Sequence, residues 1–118
     1  MKKAIAEKWV KALRSKKYKQ AKGALALGKG YCCLGVLCEI AIKEGLPLQK
    51  QQAISKGAYY YDGECRILPP KVSKWASLKT DNPMVKYDDD RFPLAELNDY
   101  KLSFKKIADL IEAQWRSI

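Results

Sequence analysis

The spacing of apolar residues along the chain predicts three main helices. Residues 3–15 carry one apolar stripe at intervals of three and four residues, with lysines between, which is typical of an amphipathic helix. Residues 34–43 are apolar on several faces, and Gly45 and Pro47 follow them, so we expect a buried helix that ends there. A third helix should begin after Ser103, a suitable N-cap, with an apolar stripe of Phe104, Ile107, Leu110, Ile111 and Trp115.

Two β-hairpins are predicted between these helices. In the first, GALAL and YCC flank a GKG turn, and we expect Gly28 and Gly30 to supply positive φ angles. In the second, AYYY and CRIL flank a turn at Asp62-Gly63. These patterns predict strands that are short and closely paired along the chain.

The other segments contribute shorter elements. Residues 46–57 form a polar connector, residues 71–78 a short helix after two prolines, and residues 79–92 a long turn-rich loop. Residues 93–100 have room for one or two helical turns. The sequence therefore predicts a single domain over residues 1–118, of the α+β class, compact and helix-rich, with one or two small β-hairpins.

Charge is distributed unevenly along the chain. The net charge is +10, and the first 30 residues hold ten basic residues and one acidic residue. A local excess of positive charge attracts the phosphate groups of nucleic acids and nucleotides, and it also attracts acidic protein surfaces. A solvated helix face would show the same composition, so both interpretations stay open.

The cysteines fit a hydrophobic core better than a metal site or a disulfide framework. The chain has no histidine and no pair of Cys-x-x-Cys motifs, which disfavours zinc, and if the adjacent cysteines lie in a strand their side chains point to opposite faces. No signal peptide precedes them, which disfavours disulfides. We expect Gly35 to allow a close backbone approach beside them. The four thiols are Cys32, Cys33, Cys38 and Cys65.

Catalytic motifs are not evident in the sequence. Histidine is the commonest general base, and the chain has neither histidine nor a phosphate-binding glycine loop. Residues 88–90, three consecutive aspartates, could bind a hard cation, but a solvated turn is the favoured interpretation. Glu96 and Asp99 could form a carboxylate pair, although a cap or a salt bridge is favoured. We therefore expect no enzyme activity, no cofactor and no metal.

One stretch combines the residue types that recognise nucleotides. In RSKKYKQAKGAL, basic side chains can bind phosphates, a tyrosine can stack on a base, and a glutamine can bind a base edge or a ribose hydroxyl. The predicted ligand-binding residues are Arg14, Lys17, Tyr18, Lys19, Gln20, Lys22 and Tyr31.

The sequence resembles a family of small accessory proteins encoded by tailed bacteriophages and prophages, most of them of unassigned function. The resemblance covers nearly the whole chain, through the blocks GYCCLGVLCEIA, ILPPKVSKWASL, DNPMVKYDD and LAELND followed by SFKKIADLIE. Relatives often have glycine near positions 16 and 21, where this chain has Lys16 and Ala21. The resemblance implies a product acting in the host bacterial cytoplasm, and because no apolar stretch reaches the ~18 residues that cross a bilayer, we expect no membrane partner.

This resemblance implies an anti-defence role, by analogy with small phage proteins that sequester nucleotide signals. The leading hypothesis is a homo-oligomer that binds a phosphorylated nucleotide immune signal without turnover. The alternatives are a basic nucleic-acid-binding module, recognised by a steep salt dependence, and an inhibitor that docks on a host protein. A metal-dependent enzyme using residues 88–90 would be distinguished by product formation.

Overall fold

The computed structural model describes residues 1–53 and 57–118 and confirms a helix-rich α+β fold. The three main predicted helices all form, and Ser103 acts as an N-cap, its hydroxyl oxygen accepting the Lys106 N–H at 3.4 Å. Within residues 93–100, predicted as one or two turns, a helix forms from Leu94 to Tyr100. The described residues contain five α-helices: α1 (Lys3–Arg14), α2 (Cys33–Lys43), α3 (Pro70–Ala76), α4 (Leu94–Tyr100) and α5 (Phe104–Gln114), with a 3₁₀ turn at Trp115–Ser117.

The strands are short and form two sheets in the described part of the chain. The strands are β1 (Lys19–Gln20), β2 (Ala26–Leu27), β3 (Gly30–Tyr31), β4 (Lys50–Gln52), β5 (Ala58–Tyr61), β6 (Met84–Tyr87) and β7 (Asp90–Pro93). The larger sheet has the order β1-β3-β2-β5-β4, in which β1 is parallel to β3 and the other neighbours are antiparallel. The smaller sheet is an antiparallel hairpin of β6 and β7.

Helix α2 is the centre of the hydrophobic core. It contacts α1, α3 and α4, and α1 and α4 also pack against α5. Cys33 and Cys38 are fully buried in α2, as the core interpretation of the cysteines predicted. Trp9 of α1 is fully buried against α2, and its indole N–H donates to the Cys33 carbonyl oxygen at 2.9 Å. Burying these apolar faces together is the main source of stability in a domain of this size.

Gly35 makes the close approach that the sequence predicted. A Cβ atom at this position would lie 1.8 Å from the carbonyl oxygen of Leu25, far inside van der Waals contact. The same carbonyl accepts the Cys32 N–H at 3.0 Å. The start of α2 is therefore held directly against the chain entering β2.

The first predicted hairpin forms, with two corrections. Gly28 has the expected positive φ of 60°, but Gly30 does not have a positive φ. Gly30 is instead required by close packing, since a Cβ there would lie 2.9 Å from the Cβ of Ala21. Cys32 and Cys33 do not lie in a strand: they are the N-cap and the first residue of α2. The directions of their side chains are therefore set by the start of a helix, and not by the alternation of side chains along a strand.

The second predicted hairpin is wrong in its partner strand. The turn at Asp62-Gly63 forms, but it is followed only by a single bridge between Tyr61 and Glu64. Strand β5 pairs instead with β2 and with β4, which lies in the segment predicted as a polar connector. Residues 54–56 of that connector lie outside the described residues. Long-range pairing decided this outcome, because local turn signals cannot specify which strand a segment joins.

The predicted loop at residues 79–92 contains a hairpin instead. Strands β6 and β7 are joined by Asp88 and Asp89, which have positive φ angles of 52° and 63°. Successive positive φ values define the turn that suits a two-residue hairpin, and aspartate tolerates them better than most residues. The aspartate run therefore encodes a turn.

Candidate functional site

Arg14 lies at the end of α1 and is held by α5. Its guanidinium donates to both carboxylate oxygens of Glu112 at 3.0 Å and to Asp109 at 2.8 Å. These two carboxylates raise the pKa of Arg14 and keep it charged. Arg14, which the sequence predicts to bind phosphate, thus joins α1 to α5 through its guanidinium, and its positive charge is compensated within the chain.

Gln20 is also committed to contacts within the chain. Its side-chain N–H groups donate to the Asn98 side chain and to the Leu102 carbonyl, both at 2.9 Å. Its side-chain oxygen accepts the Phe104 N–H at 3.2 Å. The Gln20 amide, which the sequence predicts to bind a nucleotide base edge or a ribose hydroxyl, therefore connects β1 to the start of α5.

Asn98 is a fully buried polar residue that the sequence analysis did not single out. Its oxygen accepts from Gln20 and from the Cys33 N–H at 3.1 Å, and its amide donates to the Ala21 carbonyl and to Asp99. Asp99 also accepts the Gly23 N–H at 3.0 Å, which supports a local structural role over a catalytic carboxylate pair. The sequence signal for the burial of Asn98 was its position four residues after Leu94, which places both residues on the same buried face of α4.

A groove beside Tyr18 carries a concentration of positive charge. It has a volume of about 680 Å³ and lies between the end of α1, β1 and the start of α5. Its cations besides Arg14 are Lys16, Lys19 and Lys105, and none of these three has an ion-pair partner among the described residues. The residues that line it are Leu13, Arg14, Lys16, Tyr18, Lys19, Gln20, Ser103, Phe104 and Lys105.

The geometry of the groove follows from two local features. Lys16 adopts a left-handed φ of 62°, which reverses the chain after α1 and brings β1 against α5. Glycine adopts this conformation without steric cost, whereas here a lysine does so. The N-terminal end of α5, which carries a partial positive charge, opens on the groove at Ser103 and Phe104.

Tyr18 also has neighbours that do not line the groove. The Lys17 ammonium lies 5.8 Å from the centre of the Tyr18 ring, and the Tyr18 ring meets Tyr31 edge-on at 5.5 Å. Lys43, in the last turn of α2, lies beside both Lys17 and Tyr18. The neighbouring Lys43 lowers the pKa of Lys17, and Lys17, followed by Tyr18, raises the pKa of Lys43.

Lys50 fills a tyrosine cage next to this group. Its ammonium lies 5.0 to 5.5 Å from the ring centres of Tyr31, Tyr59 and Tyr61, and 2.9 Å from the carboxylate of Glu39. The Tyr61 hydroxyl donates to the same carboxylate at 2.6 Å. Cation–π and ion-pair contacts thus hold Lys50 and Glu39 together, and burial followed by Glu39 raises the pKa of Tyr61.

The predicted site residues therefore fall into separate places. The groove brings Arg14, Tyr18, Lys19 and Gln20 together, while Lys17 and Tyr31 lie next to Tyr18 without lining the groove. Lys22 is exposed and lines neither place. Lys16, Lys43 and Lys105 were missed, because only tertiary packing brings the ends of α1, α2 and α5 close to Tyr18.

The thiols and acidic runs offer no comparable site in the described residues. Burial raises the pKa of Cys32 to about 11 and raises the pKa values of Cys33 and Cys38 well above the ordinary range, so these thiols stay protonated at neutral pH. Within residues 1–53 and 57–118, no three histidine, cysteine or acidic side chains are grouped to hold a metal ion. No helix in that part of the chain is long and apolar enough to span a bilayer.

The chain belongs to the family described as Domain of unknown function (DUF8296), whose pattern matches residues 1–115. The match covers almost the entire chain, so the groove, the tyrosine cage and the buried Asn98 all lie inside the family domain. Neither the curated proteins nor the solved structures contain a match to it.

Proposed function

We propose that this protein binds a phosphorylated nucleotide in the groove beside Tyr18 and holds it without chemical turnover. The observation that carries the proposal is the grouping of Lys16, Lys19 and Lys105, all without acidic partners in the described structure, around a half-buried tyrosine. Packing of α5 adds Lys105 to two lysines that are close in sequence, and three positive charges lining one groove attract an anion.

The shape and lining of the groove support a nucleotide over a bare anion. Its volume of about 680 Å³ lies within the range of sites for small organic ligands. The half-buried Tyr18 offers aromatic surface for a base, while the lysines offer positive charge for phosphate. Since Arg14 and Gln20 are bound within the chain, we assign them to shaping the groove.

Binding without turnover is consistent with the chemistry of the chain. Sequestration needs affinity alone, and the sequence has no histidine to act as a general base. The resemblance to phage accessory proteins supports sequestration of a bacterial immune signal in the host cytoplasm as the purpose of this binding. Homo-oligomerisation remains a prediction from the same resemblance, and light scattering on the purified protein checks it.

A thermal-shift titration tests the proposal directly. The panel contains nucleoside mono- and diphosphates, cyclic dinucleotides and a short DNA duplex, at 50 and 200 mM salt. A nucleotide present at 100 times its Kd should stabilise the protein by about 2.7 kcal/mol, which corresponds to a rise of roughly 8–10 °C in Tm for a domain of this size.

Charge-reversal variants locate the binding. Lys19→Glu and Lys105→Glu should each remove most of the shift, because each places a carboxylate in the groove. Lys29→Glu is the matched control: it makes the same charge change at an exposed turn outside the groove and should retain the shift. A duplex-only shift that disappears at the higher salt would contradict the proposal and favour nucleic-acid binding. Loss of binding in Lys29→Glu equal to that in Lys19→Glu would show a diffuse field and no defined groove.

A further inference from the structure

We propose that a second phosphate site, separate from the groove beside Tyr18, lies in the cleft between the β6–β7 hairpin and the end of α5, where it takes the terminal phosphoryl group of a small phosphomonoester. The cleft has a volume of about 500 Å³, which is within the range of sites for small organic ligands. Its lining contains three cations, Lys86, Arg91 and Arg116, and no acidic residue from the described part of the chain.

Two of these cations face each other across the hairpin. Lys86 and Arg91 are directly opposite in the antiparallel ladder of β6 and β7. Directly opposed residues lie on the same face of a hairpin with Cβ atoms about 4.5–5.5 Å apart, so like charges at these positions are unfavourable. Neither side chain has an ion-pair partner within residues 1–53 and 57–118. An anion bound between two such cations is attracted to both.

Gln114, the last residue of α5, fixes the hairpin against the helix. Its side-chain oxygen accepts the Lys86 N–H at 2.8 Å, and its side-chain N–H donates to the Lys86 carbonyl oxygen at 2.9 Å. Both backbone polar groups of Lys86 are therefore bound to the end of α5. The two walls of the cleft are thus held together before a ligand binds, which lowers the entropic cost of binding.

Arg116 brings the third positive charge from the 3₁₀ turn after α5. Its Cζ atom lies 4.5 Å from the centre of the Trp115 ring, and it has no ion-pair partner among the described residues. A cation–π contact positions a guanidinium but leaves its charge available to an anion. The C-terminal end of α5 supplies a negative charge of only about half a unit, which is much less than the three positive charges of the cleft.

The aspartates of the adjoining turn do not pair with these cations. Asp88 and Asp89 occupy the turn of the hairpin, and the Asp90 carboxylate accepts the backbone N–H of Arg91 at 2.8 Å. None of the three carboxylates forms an ion pair in the described structure. The cationic side chains of the cleft are therefore free to bind an external anion.

The number and type of the cations favour a phosphomonoester over a phosphodiester. A monoester carries a charge of about −1.5 to −2 at pH 7 and three terminal oxygens, whereas each diester in a nucleic acid carries a single charge. Arginine can bind two of those oxygens through paired N–H groups. The cleft and the groove lie at opposite ends of α5, about 15 Å apart along the helix axis, so the two sites can be tested separately.

An NMR titration at constant ionic strength with methyl phosphate and dimethyl phosphate tests this proposal. Methyl phosphate should shift the side-chain N–H signals of Arg91, Gln114 and Arg116, and it should bind there about 5-fold or more tightly than dimethyl phosphate. Arg91→Gln and Arg116→Gln should each weaken this binding by about 5-fold, followed at the Gln114 amide. Arg66→Gln is the matched control, because Arg66 is exposed and does not line the cleft; it should leave the affinity nearly unchanged.

The same titration gives the results that would overturn the proposal. Equal affinities for the two probes would exclude a monoester site and favour the phosphodiester backbone of a nucleic acid. Equal weakening in Arg66→Gln and Arg91→Gln would show a diffuse field in place of a site. Shifts confined to groove residues, lost in Lys105→Gln but kept in Arg91→Gln, would overturn the cleft site and leave the proposed function standing. Binding at the cleft that persists in Lys105→Gln would support the cleft site, whatever the outcome at the groove.

Discussion

Replacing Gly35 by alanine is predicted to destabilise the domain strongly, although the same change usually stabilises a helix. In an exposed helix interior, alanine is favoured over glycine by about 1 kcal/mol. At Gly35 the new methyl group would lie 1.8 Å from the Leu25 carbonyl oxygen, where ordinary contact begins at 3.4 Å. The start of α2 and the chain entering β2 must therefore separate by more than an ångström.

The magnitude follows from the contacts that this separation breaks. The Leu25 carbonyl loses the Cys32 N–H at 3.0 Å, and an unsatisfied buried carbonyl costs about 1–3 kcal/mol. Overpacking a close-packed core costs a further 1–3 kcal/mol or so. After subtracting the gain in helix propensity, we expect a net loss of about 3 kcal/mol, out of roughly 5–15 kcal/mol for a typical domain.

Urea unfolding followed by tryptophan fluorescence and circular dichroism measures this loss. With an m-value of about 2 kcal/mol/M, the midpoint should fall by roughly 1.5 M. Gly45→Ala is the control, because Gly45 has a φ of 96° and open space around its Cβ position. It should cost about 1–2 kcal/mol from backbone strain alone. An unchanged or raised midpoint in Gly35→Ala would refute the close approach of α2 to Leu25.

Three further predictions follow from the polar contacts. Asn98→Leu should cost about 3 kcal/mol or more in urea unfolding, because it leaves several buried backbone and side-chain partners unsatisfied; a loss below 1 kcal/mol would contradict the buried network. Ser103→Ala should cost about 1 kcal/mol and Ser103→Gly only a few tenths, as for other N-caps, and equal losses would exclude a capping role. Lys43 lowers the pKa of Lys17, so the Lys17 contribution to stability rises as pH increases through the window just below the ordinary lysine pKa; the pKa of Lys43 is raised, so the Lys43 contribution is lost as pH rises above that window. Lys43→Gln should raise the Lys17 pKa in an NMR titration, and an unaltered titration would show that the two ammonium groups are apart.

The helices were predictable because their information is local. Apolar residues at helical spacing on α1 and α5, and a continuous apolar run in α2, each report which positions are buried whatever the helix packs against. Ser103 was recognisable as a cap from its position before the last apolar stripe. The burial of Cys33 and Cys38 followed from their apolar neighbours in α2.

The strands were less predictable because each contains only two to four residues. A strand this short carries no clear alternation, and its existence depends on a partner elsewhere in the chain. Strand β5 pairs with β2 and β4, and not with the segment that follows its own turn. Asp88 and Asp89 form the exposed turn that the sequence predicts, but the two strands this turn joins, β6 and β7, were predicted as loop.

The sequence by itself determined the fold class, the main helices, the burial of Cys32, Cys33 and Cys38, though not of the half-buried Cys65, and the concentration of basic residues in the first 30 positions. Only the tertiary structure decided what those basic residues can do. It paired Arg14 with acidic residues more than 90 positions away, bound Gln20 to α4 and α5, and left Lys16, Lys19 and Lys105 unpaired in the described groove. The physical reason is that helix formation depends on neighbours within a few residues, whereas the net charge of a site depends on which distant side chains the packing brings within hydrogen-bonding distance.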